Sequence, residues 1–296
     1  MLSTLKRIGI IGAAYKLSGR LFPKEKEVLG ICDRIGAYRY LKKYEKIVSR
    51  RPQVRNFNPQ TNHKKIIWIC WLQGFDKAPL LVKKCKESVL KYHSDCEVIA
   101  LDESNLSRYI DIPDYITEKH NKGIIHHTQF SDYVRIALLA KYGGVWIDST
   151  TLLTNNLPEY ILNADLFCYK INPIGKVLIG SWFIAAKQNH PIVLHVLSLF
   201  DEYWKKENKL ISYSLIHLCW TLAVNANETN RKLWNAVPYF DNSNCFLLQM
   251  DLFSPYSETR FKQITQMSSV HKLTYKFDEK DAQKEGSFYQ HIIQSI

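Results

Sequence analysis

Two carboxylates and one guanidinium are the groups of this chain whose types and spacing best suit chemistry. Asp132 and Arg135 stand three apart in a segment with helical apolar spacing, so both project to one side while Ile136, Leu139 and Ala140 turn inward. The pair lies near the positive end of that helix. There a carboxylate can take a sugar's hydroxyls while a guanidinium meets a phosphate or a sugar oxygen; the same spacing also suits a plain surface ion pair. Asp148 ends a strand soon after Gly143 and Gly144, glycines that let backbone and ligand approach closely. A carboxylate so placed can hold a hard divalent cation, Mg²⁺ or Mn²⁺, against a departing nucleoside diphosphate, or can serve a turn.

The elements that must position these groups are those of an α/β protein. Ile66-Ile67-Trp68-Ile69-Cys70-Trp71-Leu72 is a continuous apolar run of strand length, the pattern of a buried parallel strand. Residues 73–76 make a loop, Pro79 opens a helix through Leu90, and residues 97–101 give the next strand. Such a strand, helix, strand unit binds ligands at the carboxyl ends of its strands, which puts Trp71 and Gln73 at a crevice. Thr128 is the expected cap of a helix over 129–141 that the glycine pair ends. Residues 145–148, 166–169 and 182–186 read as further strands, and 190–204 and 213–226 as helices.

With 296 residues and 46% hydrophobic content the chain can bury one large core, which excludes disorder as the default. Its net charge of +12 is concentrated: residues 1–55 hold fourteen Lys and Arg against four acids. A boundary is expected in the Arg-, Pro- and Asn-rich stretch at 50–65, leaving a basic, helical segment at 1–60 and a main domain at 61–296. The basic segment suits an anionic membrane surface; nucleic acid ranks lower, because aromatic interleaving and known motifs are absent there. Lys6, Arg7, Lys16 and Arg20 interrupt the only early apolar stretch, so neither a membrane span nor a signal peptide is expected. Seven cysteines without paired spacing read as reduced, buried small hydrophobes. No carboxylate or thiol at ligand spacing joins His126 and His127, which read as loop residues, or His217, which reads as a core or cleft residue.

Ser131-Asp132-Tyr133-x-Arg135-x-x-Leu138-Leu139-x-x-Tyr142-Gly143-Gly144-Val145-Trp146-Ile147-Asp148 closely resembles the signature of family 32 glycosyltransferases. Ile67-Trp68-x-x-Trp71-x-Gln73-Gly74, Asp148-Ser149-Thr150, the segment from Ser181 to Ala186 and His271-Lys272-Leu273-Thr274-Tyr275-Lys276 resemble the capsular polysaccharide synthesis branch. The resemblance implies a GT-A, Rossmann-like fold with a mainly parallel central sheet flanked by helices, a bacterial origin and retention of anomeric configuration. It places Trp71 and Gln73 by the nucleotide, Asp132 and Arg135 by the donor sugar, and Asp148 with Ser149 and Thr150 at the family's acidic metal motif. Ser131, Trp146, Lys272 and Lys276 join the donor side, His271 the metal or diphosphate, and Trp182 and His217 are candidates for the acceptor side. The family's motif has Asp at both ends, and here Ser149 and Thr150 follow Asp148, so one carboxylate is missing.

The expectation is a retaining glycosyltransferase that moves a sugar from a nucleoside-diphosphate sugar, UDP-sugar foremost, to a lipid-linked oligosaccharide at the cytoplasmic face of the membrane. Its catalytic groups are Asp132, Arg135 and Asp148, with Mn²⁺ or Mg²⁺ held by Asp148 and His271. The rival is a non-catalytic protein of the same shell that serves polysaccharide assembly.

Overall fold

The apolar run forms β1 (Ile66–Cys70), and the computed structural model, which describes residues 26–51, 56–58 and 64–295, builds the molecule around it. Before it comes α1 (Lys26–Ser49). After it follow α2 (Leu80–Tyr92), β2 (Glu97–Leu101), α3 (Asp114–Asn121), α4 (His127–Tyr142), β3 (Gly144–Ile147) and β4 (Thr151–Leu153). The rest comprises β5 (Leu166–Lys170), β6 (Ile179–Ala186), α5 (Pro191–Lys206), α6 (Leu215–Asn225), α7 (Glu228–Ala236), α8 (Glu258–Met267), β7 (Val270–Lys272) and α9 (Phe288–Ser295), with helices shorter than eight residues left unlabelled.

Five strands form one sheet in the order β2-β1-β3-β6-β5, and β4 pairs with β7 apart from it. β1 runs parallel to both β2 and β3, while β6 is antiparallel to both β3 and β5, so four of the five strands point one way. Because the chain goes from β1 outward to β2 on one side and to β3 on the other, the order reverses between β1 and β3. The carboxyl ends of β1 and β3 therefore flank the sheet's natural crevice.

Alternation along the strands sorts the core. Trp68 and Trp146 face a layer containing α1, α4, α5 and α6; Ile67, Ile69, Val145 and Ile147 face a layer that includes Val82 and Val89 of α2. A third cluster joins Leu81 and Cys85 of α2 to Leu152, Ile264 and Ile292. In α1, Ala37, Leu41 and Tyr44 recur at helical spacing and are buried against α5 and α6. The Tyr40 and Tyr44 hydroxyls donate to Glu207, just beyond α5. The boundary drawn at residue 60 thus does not part this helix from the core: its apolar stripe is continuous with the main cluster. Residues 1–25, 52–55 and 59–63, where much of the basic segment falls, lie outside the described residues.

The close approach that Gly143 and Gly144 permit is to protein and not to a ligand. Both have positive φ, +71° and +94°, and a Cβ on Gly144 would sit 2.4 Å from the Ile66 carbonyl oxygen of β1. Trp68 Nε1 donates to the Gly143 carbonyl at 2.9 Å. The glycine pair therefore lets α4 turn directly into β3 beside β1. All seven cysteines are free, five of them buried. Among the described residues no helix is long and apolar enough to cross a membrane.

Candidate functional site

A cleft of about 510 Å³ opens where the sheet order reverses. Trp71 and Gln73 reach it from the end of β1, and Asp148, Ser149 and Thr150 from the end of β3. Thr128, Ser131 and Arg135 enter from the first turns of α4. α4 begins at His127 without a side-chain cap, so Thr128 is a cleft residue and not the cap expected of it. The opposite wall is Lys272 to Lys276, carried back to the cleft because β7 pairs with β4, with Thr151 opposite Lys272.

Arg135 joins the two acids. Its Nη2 lies 3.2 Å from Asp132 Oδ1 and 3.2 Å from Asp148 Oδ1, and Nη1 donates to the Ser181 carbonyl oxygen. The guanidinium carbon is 5.0 Å from the centre of the Trp146 ring, whose Nε1 donates to Asp148 Oδ1 at 2.9 Å. Trp146 is thus buried beneath the cleft as a support for Arg135 and Asp148 and does not line the cleft. Lys272 Nζ donates to Asp148 Oδ2 at 3.1 Å and to Thr150 Oγ1 at 2.6 Å. Two cations from separate segments, with an indole, therefore engage both oxygens of one carboxylate.

Burial and charge push the two acids apart. Burial raises the Asp132 carboxyl to about 6, with Arg135 opposing and Asp148 adding to the rise. Burial raises Asp148 as well, yet the charges of Arg135 and Lys272 and the hydrogen bonds from Trp146 and Lys272 outweigh it and hold its carboxyl below the usual carboxylate value. Asp148 remains a fixed negative charge, while Asp132 changes charge near pH 6.

Besides Trp146, four expected site residues do not line the cleft: Asp132 is buried against Arg135 and reaches the cleft only through it, and His271, Trp182 and His217 lie elsewhere. His271 is fully buried on the other face of β7, its Nε2 2.9 Å from Thr154 Oγ1, because adjacent strand residues point to opposite faces and Lys272 takes the cleft side. It is therefore not a ligand beside Asp148, and burial lowers its imidazole to about 4. Trp182 stacks on Tyr169 at 5.0 Å within the core, so its ring face is not open to a sugar. His217 lies behind the cleft, with Nε2 3.5 Å from Ser181 Oγ; burial, with Arg135 second, lowers it to about 4. It touches Ser181, whose carbonyl oxygen holds Arg135, and is not among the residues lining the cleft.

The arrangement does not fit Mg²⁺ or Mn²⁺ at Asp148. Hard cations take several oxygens, usually from more than one carboxylate. Among the described residues Asp148 is the sole carboxylate lining the cleft, and both its oxygens are already engaged. What the cleft offers a negatively charged ligand is Arg135, Lys272 and the exposed Lys276.

Sequence reasoning missed several lining residues. Tyr275 meets Trp71 edge to face at 5.2 Å, making an aromatic pair across the mouth. Tyr213, Phe246 and Gln249 form the far rim, and His127 the near one. The aromatic residue just before Lys276 was the one available signal; Tyr213 was read as the start of a helix that begins only at Leu215, and Phe246 and Gln249 sit in helical turns of four residues, too short for a period to show.

Fold and cleft together define an α/β protein in which cations from α4 and β7 and aromatic rings gather at the carboxyl ends of the sheet's strands. The chain belongs to the capsular polysaccharide synthesis protein family, whose match covers residues 32–292. It is 27% identical over 166 residues to the O-glycosyltransferase braB of Annulohypoxylon truncatum, covering 50% of this chain and 39% of that protein. A second relative, an uncharacterized glycosyltransferase of Acanthamoeba polyphaga mimivirus, is 25% identical over 131 residues, 43% of this chain and 51% of the relative. The chain thus spans about half or less of the length of these curated relatives. Among solved structures, the PaToxG glycosyltransferase matches 88% of this chain and 96% of its own at 14% identity and a TM-score of 0.38. The WbbM bifunctional glycosyltransferase matches 81% of this chain and 51% of its own at 12% identity and a TM-score of 0.44.

Proposed function

We propose that this protein is a GT-A-type glycosyltransferase that takes a nucleoside-diphosphate sugar, UDP-sugar foremost, and passes the sugar to a lipid-linked oligosaccharide of a bacterial surface polysaccharide with retention of configuration. The observation that carries the reading is the clamping of Asp148 between Arg135 and Lys272 at the point where the strand order reverses. The Trp71 and Tyr275 rings frame the mouth where a base would enter, and Lys272 and Lys276 stand where a diphosphate would meet positive charge. The bond from the anomeric carbon to the diphosphate oxygen breaks, and the acceptor oxygen bonds to that carbon from the same face. The acceptor's proton leaves with the diphosphate, since Asp148, the one carboxylate lining the cleft among the described residues, is held by two cations. Catalysis is electrostatic: fixed cations oppose the charge that grows on the leaving group, and Asp132 steadies Arg135. Lys272 stands in the role that the wider family gives to a metal ion.

Purified protein incubated with a panel of UDP- and GDP-sugars should hydrolyse or transfer one of them, and Lys272→Met should lower kcat/KM by about 10²–10³. Mg²⁺ or Mn²⁺ added to the assay should not raise turnover. The anomeric configuration of the product, read by NMR, tests retention. Absence of nucleotide-sugar turnover across the panel, with the lipid-linked acceptor present, would favour the non-catalytic shell. Attachment to the cytoplasmic leaflet is part of the same proposal: vesicles containing anionic lipid should retain the protein in a salt-sensitive way, and removal of basic charge within residues 1–55 should weaken retention.

A further inference from the structure

Beside the cleft, and reaching its near rim only through His127, lies a cluster of side chains that sugar transfer does not use. Glu103 follows β2, His120 lies in the last turn of α3, and His127 is the first residue of α4. Their ligand atoms all lie within 4.8 Å of one another. His120 Nε2 is 3.4 Å from Glu103 Oε1, and His127 Nδ1 is 3.8 Å from the same oxygen. A tetrahedral ion with bonds of about 2.0–2.1 Å sets its ligand atoms about 3.3–3.4 Å apart. One edge of that figure is already formed and a second is within about half an ångström of it.

The hydrogen bonding fixes which atoms face inward. His120 Nδ1 lies 2.7 Å from the Ile125 carbonyl oxygen, which can only accept, so Nδ1 carries the proton and Nε2 of the neutral ring is left with its lone pair. That lone pair faces a carboxylate oxygen. Two acceptors facing each other repel unless a proton or a cation lies between them, and His127 Nδ1 brings a second nitrogen to the same oxygen. The His120 ring is further locked by stacking on Phe130 at 4.0 Å and 9°, and by the edge of His127 at 5.1 Å. A ring held through its outer nitrogen by a carbonyl is the support that metal-binding histidines have.

The contrast with the other such group among the described residues, His93, Asp95 and Cys96, is instructive. There His93 Nε2 already accepts the Leu157 N–H at 3.0 Å, so its lone pair is spent.

We propose that Glu103, His120 and His127 bind one divalent ion of borderline softness, Zn²⁺ foremost, with a fourth position open to solvent at the mouth of the cleft. Two imidazoles with one carboxylate favour Zn²⁺ over Mg²⁺ or Ca²⁺. The side chains of Glu103 and His127 are more than half exposed, which gives an ion a path in and leaves room for water or a ligand oxygen. Bound there, the ion ties the end of β2, the end of α3 and the start of α4 together. It thereby stiffens the helix start that sends Thr128, Ser131 and Arg135 into the cleft. This site stands apart from the glycosyl-transfer reading and needs no donor for its test.

The experiment is titration of the full chain, freed of metal by dialysis against a chelator that is then removed, with Zn²⁺ followed by calorimetry and with Co²⁺ followed by its visible absorption. One equivalent of each should bind, Co²⁺ with the intense bands of a four-coordinate site. Glu103→Gln, at a half-exposed position where folding is not at stake, and His127→Ala should each weaken binding about 10-fold or more. His120→Ala should do the same, with circular dichroism checking its fold. Failure to bind one equivalent, or binding that Glu103→Gln and His127→Ala leave unchanged, overturns the proposal. So does a pH titration of the imidazole NMR signals that is identical with and without Zn²⁺, since protons alone then fill the space between the acceptors.

Discussion

At the scale of the residue, one guanidinium holds two carboxylates whose proton affinities diverge. Asp132 faces Arg135 and Asp148, and burial lifts its carboxyl to about 6 from an ordinary 3.8. Between about pH 4 and 6 the folded chain therefore keeps a proton that the unfolded chain has released, and this group's contribution to stability falls as pH rises through that window. The ionised form is the one that grips Arg135, so kcat/KM should rise with pH along a limb centred near 6. That limb should vanish in Asp132→Asn, whose activity should be low at every pH; a limb that survives the substitution would assign it to another group. The i, i+3 pair Asp132 and Arg135 and the strand-end Asp148 each have a local signature, but that spacing suits a plain ion pair or a turn equally, and it was the resemblance to the glycosyltransferase signature that drew the three together. Lys272 was legible only as a neighbour of His271. Strand alternation decides which of the two faces the cleft, and three residues of strand do not reveal their inward face without the partner strand. The same limit hid the rim cluster: His127 gains its companions from Glu103 and His120, which adjoin it only through the packing of β2, α3 and α4.

At the scale of the element, the glycine pair shows how local conformation sets the site. Gly144 occupies φ +94° with the Ile66 carbonyl oxygen where a side chain would go, so Gly144→Ala must both adopt a left-handed backbone and push β3 from β1. We expect a loss of at least about 2 kcal/mol, measured by urea unfolding, with a shifted Trp68 fluorescence because its indole bonds the adjoining carbonyl. Turnover should fall too, since Asp148 rides on β3. The strands were readable from apolar runs with small errors at their ends: 97–101 matched its expected bounds, while the apolar stretch from 66 gives strand only as far as Cys70. Its last apolar pair leaves the sheet because Trp71 turns to the cleft. β7 and the short helices beyond β6 carried too few residues for a period to show.

At the scale of the whole molecule, the first described helix belongs to the core and not to an appendage. Leu41 is 1% exposed among α5 and α6 residues, so Leu41→Ala should cost about 2–5 kcal/mol, seen as a single earlier unfolding transition. Two separate transitions, with the main one unmoved, would show the helix to be an independent piece. The charge count made this segment look separate, because a surplus of Lys and Arg says how a surface meets its partners and nothing about which stripe beneath it is buried. The α/β architecture and the place of the cleft followed from the first strand, helix, strand unit; the return of residues 270–276 did not, since it depends on a pairing between β4 and β7 that no local pattern announces. That pairing has a temporal consequence. Asp148 and Lys272 are separated by 124 positions, so a chain emerging from the ribosome displays the acid and its guanidinium long before the ammonium arrives. A chain made only as far as β6 already holds all five strands of the sheet but not the wall at 272–276, so on the proposed function its grip on a diphosphate waits for that later segment.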